Sequence, residues 1–373
     1  GAKKNKYTPR KKKSGGETPP TGSSEGSLRG RSKKFLYKYI KKQTDSKWKD
    51  NYFPYKYNDI RRIIGLAKQI FQEEPTLVEC GAPAVVVGDL HGQYQDLLRV
   101  FNFFGVKRRK EGGIKPGWLT QKYVFLGDYI DRGKQSIEVM TVCFSLKVVF
   151  PNCFFLLRGN HETKAINKQY GFMQELEERF PKDQADKLFS EFNEAFTYMP
   201  LACIIGNSIL CMHGGISPKL SSLQDILDIP KPLVDPNANE LACDLMWSDP
   251  MIGLKGYKEN AVRGVSVHFG EDALEEVMDK LNLHMVVRGH QMMMNGFNFF
   301  HSHKLVTIFS AASYYPERAN RGAVLFVSKE FRVGFKILVP SKGGAGKKVF
   351  RGDHEISNDY DDGHVKKVDE DIK

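Results

Sequence analysis

The chain has 373 residues, 41% of them apolar, enough to enclose one large core. Its net charge is +12, yet residues 1–49 alone hold 16 Lys and Arg against 3 Asp and Glu, so the rest is close to neutral and is not a basic nucleic-acid-binding body. Six scattered cysteines without a CxxC pair argue against a disulfide framework, and the absence of an apolar run of about 18 residues or an apolar signal core argues against membrane spanning and secretion. These features suit buried thiols in a reducing compartment, cytoplasm or nucleus.

In chain order, residues 1–49 carry KKNK, RKKK and RGRSKK among Gly, Ser, Thr and Pro and are expected to be a disordered basic tail. Such a tail fits a solvated arm, a nuclear-localisation signal, a contact to nucleic acid or another acidic surface, or a docking arm for phosphorylated substrates. Residues 50–340 read as one domain, and 341–373, with Gly and Lys first and DYDD and DEDIK later, read as a second flexible tail.

Within the domain, three apolar runs each read as a buried parallel strand: Ala84–Val87, Tyr123–Leu126 and Phe154–Leu157. Each runs into a polar loop, GDLHG at 88–92, GDYIDRG at 127–133 and RGNHE at 158–162, all within about 75 residues. Sites in open α/β sheets lie outside the carboxyl ends of the strands. Asp89, His91, Asp128, Asp131, Arg132, Arg158, Asn160 and His161 are therefore expected around one crevice.

Two later loops follow the same rule, His213 after Ile209–Met212 and His290 after Met285–Val287. Asp, His and Asn without thiolates suit hard or borderline divalent cations. Residues 95–104 and 135–149 space apolar positions by three and four, as crossover helices do.

From about Tyr57 to Pro340 the chain resembles the catalytic subunit of PPP-family serine/threonine protein phosphatases, most closely the type-1 enzyme. The likeness lies in GDLHGQYQDLLRVF, FLGDYIDRGKQSIE, FFLLRGNHE, INKQYGF, HGGISP, LMWSDP, VRGVSVHFG and FKILVP. It implies an α/β (α+β) metallophosphoesterase-like fold, a central β-sandwich flanked by helices with a dinuclear metal site at the strand ends. One metal would be held by Asp89, His91 and Asp128, the second by Asp128, Asn160, His213 and His290. The cations would be two divalent metals, Mn²⁺ in recombinant protein and Fe or Zn in the cell.

Phosphate-monoester hydrolysis needs up to roughly 10²¹-fold acceleration. Two cations about 3.5–4 Å apart provide it by acidifying a bridging water, whose hydroxide attacks phosphorus in line. Arg132 and Arg263 match the family's phosphate-binding arginines, with Asn160 and Tyr314 adding hydrogen bonds. His161 is the natural general acid for the leaving serine or threonine oxygen, and Asp131 would orient and charge it. A small-molecule phosphoesterase and a catalytically weak scaffold are the alternatives.

The chain departs from the family at several places. Residues 310–315 read SAASYY, with Ser313 and Tyr315 in place of Asn and Cys, so altered sensitivity to cyclic-peptide toxins is expected. Gly289 stands for Ala, a small change expected to be neutral. An insertion at 106–120 reads as a surface loop or a docking element. Ile209, Met285, Phe299, Val333 and Phe335 match an apolar groove that receives Arg-Val-x-Phe peptides of regulatory subunits. His284 and Lys329 replace nearby acidic positions, which should weaken attraction to basic flanks.

Overall fold

The computed structural model describes residues 25–107, 114–315 and 319–340. Two β-sheets pack face to face, with helices on both outer surfaces. The first sheet runs Val333–Leu338, Gly322–Val327, Ala84–Val87, Tyr123–Phe125 and Phe154–Leu156, the last three parallel. The second runs Leu77–Cys80, Ala202–Ile205, Ile209–Met212, Met285–Arg288, Leu305–Ile308 and Phe297–Phe300.

Alternation along each strand builds the layers. Val86, Val124 and Leu126 from the first sheet meet Cys203, Cys211, Val287 and Val306 from the second in a shared apolar layer. Their neighbours Val85, Val87, Tyr123, Phe125, Phe154 and Leu156 face the other way, into the helices. Across the molecule Ala202, Ile204, Leu210 and Val286 pack under Leu245, Leu274 and Val277. Successive side chains point to opposite faces, so strands buried on both sides read as unbroken apolar runs. The expected sandwich flanked by helices is therefore present.

The helix Tyr57–Glu73 buries Ile60, Ile63, Ile64, Ala67 and Phe71, a single stripe at helical spacing. The helix Ser136–Val149 is buried on all sides, its Glu138 and Lys147 included, because its neighbours surround it. Its first amides donate to a side chain from another helix: Ser136 N and Ile137 N reach the Glu175 carboxylate at 2.7 and 3.1 Å.

Two expectations need correction. The expected disorder of residues 1–49 does not extend over 25–49: Glu25–Gln43 is a helix that buries Leu36 and Ile40 in the core, and Ser46–Trp48 is a 3₁₀ turn. Charge averaged over the segment conceals the apolar stretch at 35–40, where Phe35, Tyr37 and Tyr39 also pack on the core. Residues 1–24 and 341–373 lie outside the described residues. The insertion is not wholly a surface loop either. Val106–Lys107 pairs with Ile114–Lys115, and Trp118 is buried, edge-on to Tyr37 with ring centroids 5.8 Å apart. Its tip, 108–113, lies outside the described residues.

All six cysteines are free, five of them buried and Cys153 half-buried. Among the described residues no helix is long and apolar enough to cross a membrane.

Candidate active site

The five polar loops leave neighbouring strand ends, and in three of them, at 88–92, 127–133 and 288–290, the backbone enters the left-handed region. His91, Asp128, Asp131, Arg132 and His290 all have positive φ, from 45° to 72°. Non-glycine residues seldom adopt that region, and sites where they do are commonly functional. The loops also approach one another closely. A Cβ on Gly159 would lie 2.3 Å from Asp128 Oδ1, so only glycine fits there.

Asp128 is the hub. Its Oδ2 lies 3.5 Å from His91 Nε2, 3.4 Å from His213 Nε2 and 3.9 Å from His161 Nε2. Asp89 Oδ2 is 3.8 Å from His91 Nε2. Asn160 Oδ1 lies 2.8 Å from His213 Nε2 and 2.9 Å from His290 Nδ1. Two sets of ligand atoms gather within 4.8 Å, His91–Asp128–His161 and Asp128–His213–His290, and share Asp128.

The ring tautomers say what such a cluster lacks. His91 Nδ1 is 3.0 Å from the Ile130 carbonyl and His213 Nδ1 is 3.2 Å from the Leu126 carbonyl. Each ring donates its Nδ1–H there, so in the neutral form that a metal ligand takes, Nε2 carries the lone pair and faces carboxylate and amide oxygens. Acceptors facing acceptors in a buried space are satisfied by a cation. The nitrogen and oxygen donors, with no thiolate, fit divalent metals.

Burial and the charge of His161 push the His91 pKa down to about 3, which keeps it neutral as a ligand must be. Burial also opposes a charge on His161, but Asp128 and Asp131 outweigh it and hold that pKa at about 9. His161 Nδ1 sits 2.6 Å from Asp131 Oδ2, and Asp131 Oδ1 accepts from Phe172 N at 2.9 Å. A protonated imidazole cannot ligate a metal. His161 differs in this from His91 and His290, whose pKa values burial lowers, but not from His213, which Asp128 also raises against burial. Geometry separates those two: Asp131 holds His161 Nδ1, whereas His213 Nδ1 meets a backbone carbonyl.

Around this centre Tyr314 lies against His91, with ring centroids 5.0 Å apart. The Arg132 guanidinium lies over the Tyr170 ring at 4.4 Å. Arg263 is held by Asp249, Nε to Oδ2 at 2.9 Å, and its Nη2 reaches the His290 carbonyl at 3.5 Å.

Arg158 belongs elsewhere. Although expected in the crevice, it is fully buried, donating to the carbonyls of Glu162 at 3.0 Å and Leu233 at 2.5 Å. At Gly289 a Cβ would lie 2.5 Å from Asp89 Oδ1, which accepts from His290 N, so an alanine there would require the carboxylate to shift.

Two residues escaped the sequence reading. Glu162 accepts from the amides of Asp128, Tyr129 and Gly159 at 2.8–2.9 Å and so ties two ligand loops together. Burial and Asp128 push its pKa up to about 7. Asp249 joins Arg263 to the buried Arg288, whose Nη2 is 2.9 Å from Oδ1. The available signal was adjacency: Glu162 follows His161, and Asp249 lies in the WSDP motif.

The five groove positions also gather. Ile209 and Met285 are register partners, and Phe299, Val333 and Phe335 pack against the same layer from edge strands of the two sheets. Phe335 stacks on Phe297 with centroids 3.9 Å apart.

Residues 82–294 match the family described as calcineurin-like phosphoesterase. Among solved structures, a protein serine/threonine phosphatase from Saccharomyces cerevisiae with similarity to human phosphatase PP5 is 30% identical, with a TM-score of 0.71 over 83% of this chain and 97% of that one. A cold-active protein-tyrosine phosphatase from a Shewanella species is 19% identical, with a TM-score of 0.47 over 72% of this chain and 82% of that one, too partial a likeness to bear on the chemistry.

Proposed function

The chain belongs to the calcineurin-like phosphoesterase family, as a phosphatase of the PPP type, and from that premise we propose that it hydrolyses phosphoserine and phosphothreonine esters of proteins. Asp89, His91 and Asp128 would hold one divalent cation, and Asp128, Asn160, His213 and His290 the second. Bound there, the pair supplies Lewis acidity and an acidified water.

The protein's own groups do the rest. Arg132 and Arg263 neutralise the phosphate and orient it through forked hydrogen bonds, with Asn160 and Tyr314 at the rim. Holding Arg263 against Asp249 fixes its direction before substrate arrives, so little ordering remains at binding. His161 keeps a proton on Nε2 at neutral pH because Asp128 and Asp131 stabilise the charged ring, and it delivers that proton to the departing alkoxide.

The observation that carries this reading is the His161–Asp131 pair beside the shared carboxylate of Asp128. The test is phosphate release from a phosphoserine peptide and its phosphotyrosine counterpart by Mn²⁺-loaded protein, beside His161→Asn and the chelated form. Release from phosphoserine alone, lost in both controls, is the expected result. Equal release from phosphotyrosine would overturn the Ser/Thr assignment.

Regulatory subunits would dock at the groove of Ile209, Met285, Phe299, Val333 and Phe335. An Arg-Val-x-Phe peptide should bind there and be weakened by Phe299→Ala. The buried free thiols suit the cytoplasm or nucleus as the site of action.

A further inference from the structure

Beside Arg263, three loops carry large apolar side chains into solvent. Asp249 holds Arg263, and Arg263 reaches the His290 carbonyl, so segments 249–252, 260–263 and 290–294 meet at one point. From these segments Met251 is 40% exposed, Ile252 85%, Val262 88% and Met294 45%. Met292 and Met293 are half-buried, and none of the six belongs to the three apolar clusters that form the core of the described residues.

Single exposed apolar residues are ordinary on any protein surface. Here they are grouped on loops that share one arginine and adjoin a metal-cluster histidine. Charge on these loops is confined to the Asp249–Arg263 pair: the rest of residues 249–254, 260–263 and 290–294 contain no Asp, Glu, Lys or Arg. A phosphorylated side chain that reaches the cluster brings its neighbours in the substrate over this rim. Unbranched methionines adapt to varied apolar shapes, and grouped exposed apolar side chains mark interaction sites.

We propose that this rim selects substrates by taking apolar side chains adjacent to the phosphorylated residue. The inference rests on the phosphatase reading above and adds a substrate preference to it.

The test compares two phosphoserine peptides of equal length and charge, one with Leu and Met flanking the phosphoserine and one with Asn and Ser. The Mn²⁺-loaded protein and its Ile252→Ser/Val262→Ser/Met294→Gln variant are assayed on both, with p-nitrophenyl phosphate as a substrate too small to reach the rim. The expected result is a kcat/KM preference of about tenfold for the apolar peptide, lost in the variant while p-nitrophenyl phosphate turnover is unchanged. If the wild type cleaves p-nitrophenyl phosphate and both peptides equally, the rim has no selective role and the phosphatase reading stands.

If nothing is cleaved, the phosphatase reading fails. Fluorescence anisotropy of the labelled peptides then decides the rim by itself. Tighter binding of the apolar peptide, lost in the variant, supports it, and equal binding overturns it.

Discussion

His161 and Asp131 face each other from adjacent strand-end loops, Nδ1 to Oδ2 at 2.6 Å, both buried. Asp131 is tied in turn to Phe172 N, so the carboxylate cannot swing away without breaking the start of the helix Phe172–Arg179. The pair is thus held from the helical side of the molecule through Asp131 and from the cluster through His161 N, which donates to Asp128 Oδ1 at 3.0 Å.

Asp131→Asn keeps the shape and removes one of the carboxylate charges, beside that of Asp128, that hold the proton on His161. Steady-state kinetics on a phosphoserine peptide at neutral pH should show kcat lower by about 10²-fold, with KM little altered. An unchanged kcat would remove His161 from the role of acid.

Arg132 is solvent-exposed and rests on Tyr170, so its replacement should leave folding intact. Arg132→Lys loses the planar fork, and kcat/KM should fall about tenfold with no change in Tm. Equal efficiency of the two enzymes would place the phosphate elsewhere.

Acceptor atoms crowd the candidate metal site around Asp128, so a bound cation should stabilise the fold. Chelation should lower Tm and Mn²⁺ restore it, corresponding to roughly 3 kcal/mol when free Mn²⁺ is about a hundredfold above its Kd. His213→Ala should weaken that response in scanning calorimetry. A Tm indifferent to metal would contradict the assignment.

Trp118 is buried against Tyr37 and Phe150. Trp118→Ala should cost about 3–5 kcal/mol in denaturant unfolding, as deletion of a buried aromatic does. A loss below 1 kcal/mol, on the order of a surface substitution, would return this part of the insertion to the surface.

Burial and the nearby Glu138 push the Glu175 pKa from its ordinary 4.5 up to about 7. The folded state then holds this proton more tightly than the unfolded state. The group's favourable contribution is full below pH 4.5 and is lost as pH rises to about 7. Glu175→Gln lacks this titration, so its Tm relative to wild type should rise across that window. A difference that stays flat with pH would show that Glu175 titrates normally.

Much of the fold was legible because its strands are buried on both faces. Ala84–Val87 and Ile209–Met212 have the bounds that their apolar runs indicate, since no solvent-facing side interrupts them. The helix at 25–43 was not legible. Its apolar residues cluster within a strongly basic segment, and only the core surface provided by other elements makes them worth burying. Likewise Trp118 in the insertion looks like a loop residue until Tyr37 and Phe150 are seen around it.

The sequence by itself determined the chemistry available: which strands end in Asp, His, Asn and Arg, and in what order. Those residue types follow apolar runs, and the runs are local facts. Only the tertiary structure decided how each group is used. Arg158 and Arg132 lie in similar loops, yet one is locked on carbonyls inside the core and the other is exposed on Tyr170. Glu162 and His161 are neighbours in the chain, yet one braces backbone amides and the other faces the cluster. The difference arises because hydrogen bonds and charges act over a few ångströms in space, and residues from distant parts of the chain supply the partners.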